Sequence, residues 1–183
     1  MKAWVIEKNK TSNLQENKKI FLPSEALNFH DNVPIPEILE NEALIKIRSA
    51  GLNFNTVWSA KAYPVDSFQL VMGHVRRNPK DKKHIQDYFI PGSDGSGTVV
   101  KIGKNNKFKE GDEVVVHCAV IADEDMLMKD PMLSKTQSVW GYETNFGSFA
   151  EYSVVKISQL IPKPKNLAWN ISGSYMLTLG TAY

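Results

Sequence analysis

Hydrophobic and polar residues alternate along several short stretches of the chain, which is the pattern of half-buried β-strands. Ala43–Ala50 alternates most regularly, and Glu113–Ala122 is the most apolar stretch. Ala3–Ile6 and Phe149–Ile157 are similar, and Ala26–Val33 is weakly β-patterned. With glycine-rich corners between roughly six strands and few helices, the pattern predicts a mainly β fold, a partial barrel with short helices.

Polar segments separate the predicted strands. Glu7–Lys19 is rich in lysine and asparagine and predicts a flexible loop or a hairpin arm. Tyr63–Asp87 is polar and irregular, and loops of that length are often functional. Its basic run, His74–Lys83, is interpreted as a solvated loop rather than a phosphate site. Asp123–Ser138 predicts an excursion from the barrel, and its acidic residues do not have the spacing of a calcium loop.

Two segments predict helices. Leu52–Ala60 contains Asn53 and Asn55 near its start, and asparagine is well suited to turns and caps. A corner between a strand and a short helix is therefore expected here. Leu167–Tyr183 has apolar residues at helical spacing. Gly173 in that helix costs about 1 kcal/mol relative to alanine, which predicts a frayed start.

The glycines at positions 92, 95 and 97 suggest a phosphate-binding loop, but their context argues against one. A dinucleotide fingerprint follows a strand and opens a helix. Here the glycines run into the β-forming residues Thr98, Val99 and Val100, so they predict a strand that bends or packs closely. No strand–GxGxxG–helix unit is found in the 183 residues.

Val139–Tyr152 alternates aromatic residues and glycines around a single acid, Glu143. Four aromatic residues are predicted to build an apolar wall around its carboxylate: Trp140, Tyr142, Phe146 and Phe149. A carboxylate in such surroundings has either a partner or a function. A bulged hairpin edge with a solvated Glu143 is the alternative.

Charge and cysteine content exclude several classes of function. The net charge is +2, with acids and bases interspersed, which argues against a nucleic-acid partner. The single cysteine, Cys118, excludes an intramolecular disulfide and a cysteine-rich zinc site, and it is interpreted as a small core residue. His117 is interpreted as a satisfied strand histidine. No apolar run has membrane-spanning length, so no membrane partner is expected and a cytoplasmic location is the default.

Four segments together resemble the medium-chain dehydrogenase/reductase superfamily, whose N-terminal half is a GroES-like β-barrel. They are AGLNFNTVW (50–58), IPGSDGSGTVVKIG (90–103), EGDEVVVHC (110–118) and LTLGTAY (177–183). The cysteine and histidine ligands of the zinc-dependent members are absent. The resemblance therefore implies the zinc-free branch, with no metal.

Within that branch NFNTVW, DPMLSKTQSVWGYETNFGSFAEY and LIPKPKNLAW resemble the crotonyl-CoA carboxylase/reductase family. These enzymes reduce an α,β-unsaturated acyl-CoA with NADPH and trap the enolate with CO2. The resemblance implies a GroES-like substrate-side domain over residues 1–166. Residues 167–183 would begin a connecting helix toward a Rossmann cofactor domain that lies outside this chain. It also implies acyl-CoA and CO2 as ligands, and a homo-oligomer for the full-length protein.

The same resemblance assigns site residues. Asn55 would donate its side-chain amide to a CO2 oxygen, although a residue of a helix cap or turn is the alternative. Tyr142 would shield the pocket and lend its neighbouring backbone N–H. Glu143 would hold an ordered water, together with a histidine from the second domain. Thr181 would lie near the nicotinamide of NADPH, with an ordinary helix threonine as the alternative.

Asn53 and Trp58 are expected to be structural, and the chain is expected to be inactive without its cofactor domain. One rival function is a zinc-free enoyl-thioester or quinone reductase that protonates its enolate. Another is a stand-alone barrel that serves as a binding or assembly module. An exposed apolar patch formed by Ile171, Tyr175 and Leu179 would argue against that second rival.

Overall fold

The computed structural model describes residues 1–17 and 20–182. The strands are β1 Ala3–Glu7, β2 Asn28–His30, β3 Glu42–Ala50, β4 Tyr88–Phe89, β5 Gly95–Ile102, β6 Glu113–Val116, β7 Ala119–Val120, β8 Ser138–Val139, β9 Tyr152–Lys156 and β10 Leu160–Pro162. The α-helices are α1 Lys10–Asn17, α2 Pro23–Ala26, α3 Phe54–Lys61, α4 Ser67–Arg77, α5 Trp169–Ser172 and α6 Met176–Ala182. Short 3-10 helices cover Pro79–His84, Asp123–Leu127, Pro131–Leu133 and Ile157–Gln159.

An antiparallel five-stranded sheet of order β10-β6-β5-β3-β9 carries the main core. The alternation predicted for β3 is observed, since Ala43 and Ile45 are buried whereas Lys46 and Arg48 are more accessible. Ile45 pairs with Val99 of β5 on one side and with β9 on the other. Burial of apolar side chains from β3, β5, β6 and β9 in one cluster stabilises this sheet by roughly 25 cal/mol per Å² removed from water.

A second, smaller sheet has the order β2-β1-β4, and β7 pairs with β8 in a two-stranded ribbon. β1 also touches the long loop before β9, because Ala3 bridges Ala150 and the Trp4 N–H donates to the Phe149 carbonyl at 2.8 Å. The prediction of a mainly β partial barrel is confirmed, since the sheets surround a core but are not closed. None of the helices in the described ranges has the length and apolar character needed to cross a bilayer.

The prediction of an irregular loop over Tyr63–Asp87 is wrong. This segment forms α4 and the 3-10 helix Pro79–His84. Phe68, Val71 and Val75 recur at helical spacing and pack on an apolar cluster, while the Asp66 carboxylate caps the helix by accepting from the Phe68 N–H at 2.9 Å. The solvated-loop interpretation of residues 74–83 is wrong too, because His74 and Asp81 are only 1% and 2% exposed.

The flexible loop predicted over residues 7–19 is instead largely α1, and residues 18 and 19 lie outside the described ranges. The helix is held to the body by two contacts. The Thr11 hydroxyl donates to the Ala60 carbonyl at 3.1 Å, and Leu14 packs against a buried apolar cluster. Its fixed position depends on these tertiary contacts, since its sequence has little amphipathic pattern.

The single strand predicted over Glu113–Ala122 is divided into β6 and β7. At the break the backbone of His117 exchanges hydrogen bonds with Gln159, whose main-chain carbonyl accepts from the His117 N–H at 2.8 Å. The weak β-pattern over residues 26–33 is also only partly a strand, because Ala26 ends α2 and β2 covers three residues.

The helix predicted over Leu167–Tyr183 is broken into α5 and α6, and Tyr183 lies outside the described ranges. Gly173 is the C-cap of α5, with its N–H donating to the Trp169 carbonyl at 2.9 Å. A Cβ at this position would lie 2.6 Å from the Ser49 carbonyl oxygen. Gly173 is therefore required by a close approach to β3, and it does not sit in a helix interior.

Candidate functional site

An apolar groove of about 970 Å³ lies between α2, α3 and α6, and we call it the α3–α6 groove. Its apolar walls consist of Leu27, Leu52, Phe54, Val57, Trp58 and Leu177. Two polar residues predicted from the sequence, Asn55 and Thr181, line the same groove. A mostly apolar cavity with a few polar groups is the usual form of a small-molecule site.

α3 begins with Asn53, whose side-chain oxygen accepts from the Asn55 N–H at 3.1 Å. Asn53 is therefore the cap, as expected of a structural residue, and the cap alternative for Asn55 is wrong. Asn55 lies in the first turn, 9% exposed, and its side-chain amide donates to the Ser93 hydroxyl at 3.2 Å. A side-chain amide has two N–H donors, so one remains for a ligand in the groove.

Thr181 lies on α6, opposite α3. Its hydroxyl donates to the Leu177 carbonyl one turn earlier at 2.7 Å, which is the contact of an ordinary helix threonine. The side chain is nevertheless exposed and lines the groove. Thr181 therefore makes the hydrogen bond of an ordinary helix threonine and also forms part of the groove wall.

Tyr142 joins the groove through an aromatic row. The ring of Trp58 lies 6.2 Å from that of Phe54 and 6.1 Å from that of Tyr142, centroid to centroid. Burial, and then the charge of Glu143, raise the pKa of Tyr142, so its phenol stays protonated at neutral pH. Trp58, expected to be structural, thus also lines the candidate site.

Glu143 closes a tight turn. Its carboxylate accepts from the Val139 N–H at 2.7 Å, and its own N–H donates to the Val139 carbonyl at 2.7 Å. Gly141, at φ +65°, permits this turn where the backbone presses against Gly92. Glu143 does not line the α3–α6 groove; it is brought to the same end of the fold only through its neighbour Tyr142.

The predicted apolar wall around Glu143 is wrong, because its aromatic residues belong to different cores. Trp140 is buried in the main core, and its indole N–H donates to the Phe146 carbonyl at 3.0 Å. Phe146 and Phe149 pack with β1. The hairpin alternative is wrong as well, since the stretch from 140 to 151 forms turns with isolated bridges.

A buried charge cluster lies behind this loop and was not predicted. Its members are Glu42, His74, Asp81, Lys83, His84 and Lys156. The Lys156 ammonium lies 2.7 Å from Asp81 and 3.7 Å from Glu42, and Lys83 also binds Glu42. Burial raises the pKa of Asp81, but hydrogen bonds from His74 and Lys156 outweigh it and hold that pKa well below its usual value.

Ligand atoms of Glu42, Asp81 and His84 lie within 4.8 Å of one another, the one grouping in the described residues with metal-ligand character. The two lysines already supply cationic partners to its carboxylates. Burial lowers the pKa of His84 to about 3, so the ring is neutral, and its Nδ1 donates to the Asn145 carbonyl. The arrangement is that of a charge-balanced scaffold.

Ser138, His74 and Asp81 form a hydrogen-bonded relay with two distances of 2.9 Å. Such a relay resembles a hydrolase triad, but Ser138 has no exposed surface and its hydroxyl also accepts from Arg77 at 3.0 Å. A substrate cannot reach this hydroxyl. The relay instead fixes Ser138, four residues before Tyr142.

Cys118 and His117 have no catalytic environment. Burial and the nearby Asp94 charge raise the pKa of the Cys118 thiol to about 11. Burial lowers the pKa of His117, whose Nδ1 accepts from the Ala119 N–H at 3.1 Å. The ring of His117 is hydrogen-bonded as predicted, but the residue lies at the break between β6 and β7 and not in a strand. Cys118 is only half-buried, at the edge of the core.

Comparison with known proteins identifies related sequences. Residues 39–165 match the model of the alcohol dehydrogenase GroES-like domain. The crotonyl-CoA carboxylase/reductase of Cereibacter sphaeroides is 38% identical over 186 residues, which cover 100% of this chain and 38% of that protein. The 2-methylene-furan-3-one reductase of Solanum lycopersicum is 32% identical over 162 residues, or 87% of this chain and 33% of that protein.

Solved structures give the same result. The apo-structure of the 2-octenoyl-CoA carboxylase reductase CinF from a Streptomyces species matches with a TM-score of 0.87 and 34% identity, over 94% of this chain and 40% of that one. The chain therefore spans between about a third and two fifths of these relatives. The predicted GroES-like fold and the resemblance to crotonyl-CoA carboxylase/reductases are both confirmed.

Proposed function

Since this chain belongs to the alcohol dehydrogenase GroES-like domain family, we propose that it is the substrate-side domain of an NADPH-dependent enoyl-CoA reductase that reductively carboxylates a short α,β-unsaturated acyl-CoA. In this proposal residues 1–166 form that domain, and residues 167–183 lead toward a dinucleotide-binding domain. The observation that carries it is the α3–α6 groove, which combines Asn55 and Thr181 with apolar walls. The 38% identity to a carboxylase/reductase over the whole chain supports it.

The groove suits the reactive ends of an acyl thioester and a nicotinamide. The acyl chain is apolar and the nicotinamide ring is flat, so both can pack on the apolar walls, and Thr181 places a hydroxyl beside them. When bound, NADPH supplies a hydride to the β-carbon of the substrate, which leaves an enolate at the α-carbon. The enolate forms a carbon–carbon bond to CO2, and the product is a carboxylate. The adenosine end would be bound by the second domain.

Asn55 has the role of holding CO2 in this proposal. CO2 is neutral and its oxygens are weak acceptors, so it is held only by a fixed donor in a site that keeps water away. The Ser93 hydroxyl fixes the Asn55 amide. Leu52 and Phe54 of the groove are 83% and 72% exposed, so they would exclude water only when the second domain covers them. One amide N–H would then point to a CO2 oxygen.

Tyr142 and Glu143 complete the proposed site from the neighbouring loop. The neutral Tyr142 phenol, packed on Trp58, would shield the pocket from bulk water. Glu143 holds the turn with one carboxylate oxygen, and the other would bind an ordered water with a histidine of the second domain.

The proposal is tested with protein purified from its source. Its intact mass establishes whether a cofactor domain is part of the same polypeptide, and turnover of an enoyl-CoA with NADPH and labelled bicarbonate is then measured. We expect Asn55→Ala to lose label incorporation while retaining NADPH oxidation. Asn106→Ala, on an exposed loop, is the matched control and should behave as wild type. Unchanged carboxylation in the Asn55 variant would refute the assignment.

A second candidate is a zinc-free reductase that protonates its enolate and fixes no CO2. It is favoured by the 32% identity to the tomato 2-methylene-furan-3-one reductase. NADPH oxidation without any label incorporation by the wild-type protein would select it.

The stand-alone module is opposed by exposed apolar surface. Ile171 and Leu179 are 50% and 60% exposed, and Tyr175 is half-buried. Leu52 and Phe54 are more exposed still, at 83% and 72%. Leu52 and Phe54 line the α3–α6 groove together, and exposed apolar surface of this kind is usually covered by another domain or a ligand. We also infer that the 183-residue chain alone does not oxidise NADPH with crotonyl-CoA, because its sequence holds no strand–GxGxxG–helix unit to bind the pyrophosphate of the cofactor. Measured turnover would overturn this inference.

A further inference from the structure

A buried carboxylate, Asp94, lies between the two walls of the α3–α6 groove. It is 1% exposed, and the donors that it meets in the described ranges are neutral. One carboxylate oxygen accepts from the Leu177 N–H at 2.7 Å, and the other accepts from the Asn53 side-chain amide at 3.2 Å. A single carboxylate thus binds both helices.

The contact toward α3 runs through Asn53. The side-chain oxygen of Asn53 caps α3 by accepting from the Asn55 N–H, and its amide nitrogen donates to Asp94. The carboxylate therefore sets the orientation of the Asn53 side chain. Because Asn53 can cap the helix only in that orientation, Asp94 acts on the first turn of α3, where Asn55 lies.

The contact toward α6 is direct. Asp94 accepts from the backbone N–H of Leu177 in the first turn of α6, where negative charge is stabilised. The chain is also close here, since a Cβ on Gly51 would lie 2.9 Å from the Asp94 Cβ and 2.8 Å from the Ser174 Cα. Leu177 and Thr181 of α6 then form the opposite wall of the groove.

We propose that Asp94 is a positioning residue that couples α3 to α6 and thereby sets the spacing between Asn55 and Thr181. This positioning role extends the proposed function, and it rests on that function only for the identity of the ligand. The coupling itself is a property of this chain. Burial raises the pKa of Asp94 and the hydrogen bonds from Leu177 and Asn53 oppose the rise, so the carboxylate depends on both helices for its donors.

The side chain of residue 94 must accept hydrogen bonds at both of its terminal atoms, one from α6 and one from the Asn53 amide. The substitution Asp94→Asn keeps the shape of the side chain, but the new NH2 group would face either the N–H groups of α6 or the amide of Asn53. Two donors would then meet in a buried site. The conflict disappears if Asn53 is simultaneously replaced by aspartate, since this residue can accept from the new amide and still cap α3.

The test uses hydrogen exchange of single amides by NMR on the 183-residue chain. Variants Asp94→Asn and Asn53→Asp should each accelerate exchange of both the Leu177 and the Asn55 N–H, by about tenfold or more. The double variant Asp94→Asn with Asn53→Asp should return both rates to within about threefold of wild type. Even if a single variant fails to fold, the double variant still tests the proposal.

Asp66→Asn is the matched control, because Asp66 caps α4 with the same kind of contact. It should accelerate exchange of the Phe68 N–H and leave Leu177 and Asn55 unchanged. Acceleration at Leu177 without acceleration at Asn55 in Asp94→Asn, or no rescue in the double variant, would overturn the coupling.

The catalytic consequence is measured separately in the protein that contains the cofactor domain. There Asp94→Asn should raise KM for the enoyl-CoA several-fold, and the double variant should restore it. If exchange behaves as expected but KM does not respond, the coupling stands and the proposed function of the groove fails. If exchange does not respond, the positioning role fails whatever the enzyme does.

Discussion

The Nδ1 atom of His84 lies 3.1 Å from the carbonyl oxygen of Asn145 and donates a hydrogen bond to it. The Asn145 side chain returns the contact by donating to the His84 carbonyl at 3.3 Å. This reciprocal pair fastens the 3-10 helix that carries Asp81 to the loop that carries Tyr142 and Glu143. The loop geometry at the candidate site therefore depends on a buried histidine whose Nδ1 carries a hydrogen.

Stability should fall with acidification below pH 6.5. Burial lowers the pKa of folded His84 from 6.5 to about 3, so between these values the unfolded chain binds a proton that the folded chain does not. The free energy of unfolding then decreases by up to about 1.4 kcal/mol per pH unit as the pH falls. The folded pKa of Asp81 is also lowered, which adds a loss only below about pH 4.

Urea unfolding of the wild type and His84→Gln between pH 7.5 and pH 4.5 measures this effect. Glutamine keeps a donor for the Asn145 carbonyl but does not titrate. The variant should show a flatter dependence on pH, although the lowered pKa of His117 leaves some slope. Equal slopes in the two proteins would show that His84 is not the responsible group.

Removing the Lys156 ammonium should strongly destabilise the fold. Lys156→Met leaves the buried carboxylates of Asp81 and Glu42 without one of their cations, and breaking a buried pair in this way typically costs about 3–5 kcal/mol. Lys8→Met is the control, since Lys8 forms an exposed pair with Asp87 at 3.9 Å and should change stability by less than about 1 kcal/mol. Guanidinium titrations of both variants test the difference, and similar midpoints would contradict it.

Two glycine-to-alanine substitutions should have opposite effects. Gly173→Ala places a Cβ 2.6 Å from the Ser49 carbonyl oxygen and should destabilise. Gly180→Ala lies within α6 with no atom within 4 Å, so it should stabilise by up to about 1 kcal/mol through helix propensity. Thermal unfolding measures both, and a higher Tm for Gly173→Ala would show that the close approach is absent.

Cys118 should resist thiol reagents in the folded protein. Its pKa is raised to about 11, so less than about one thiol in a thousand is ionised at pH 7.5, and only the thiolate reacts. Labelling with Ellman's reagent should be slow under native conditions and complete within minutes in guanidinium. Rapid stoichiometric labelling of the folded chain would contradict the assigned environment.

The strands with clear alternation were predicted. The helix over Ser67–Arg77 was missed although Phe68, Val71 and Val75 recur at helical spacing, because its polar residues suggested a loop. His74 and Asp81 are polar, and polar residues usually indicate solvent. Here they are buried because Lys156, far along the chain, supplies a partner. No local pattern can show a partner 75 residues away.

The site was predictable to the extent that it follows from motifs. Asn55 and Thr181, to which the resemblance assigned roles, line one groove. The predicted wall around Glu143 is wrong because core packing separates neighbouring aromatic residues. Asp94 was not predicted. It lies between Gly92 and Gly95, and the glycines here predict only a strand that bends or packs closely. Its importance depends on α6, which meets it only in three dimensions.

The buried charge cluster also bears on how the chain folds during synthesis. Asp81 is made 75 residues before its lysine partner, Lys156, and a carboxylate buried without its cation is strongly unfavourable. Before Lys156 has left the ribosome, formation of the five-stranded sheet therefore adds little stability to the nascent chain. Folding is postponed until β9 emerges, so the domain is expected to assemble in one cooperative step after most of it has been translated.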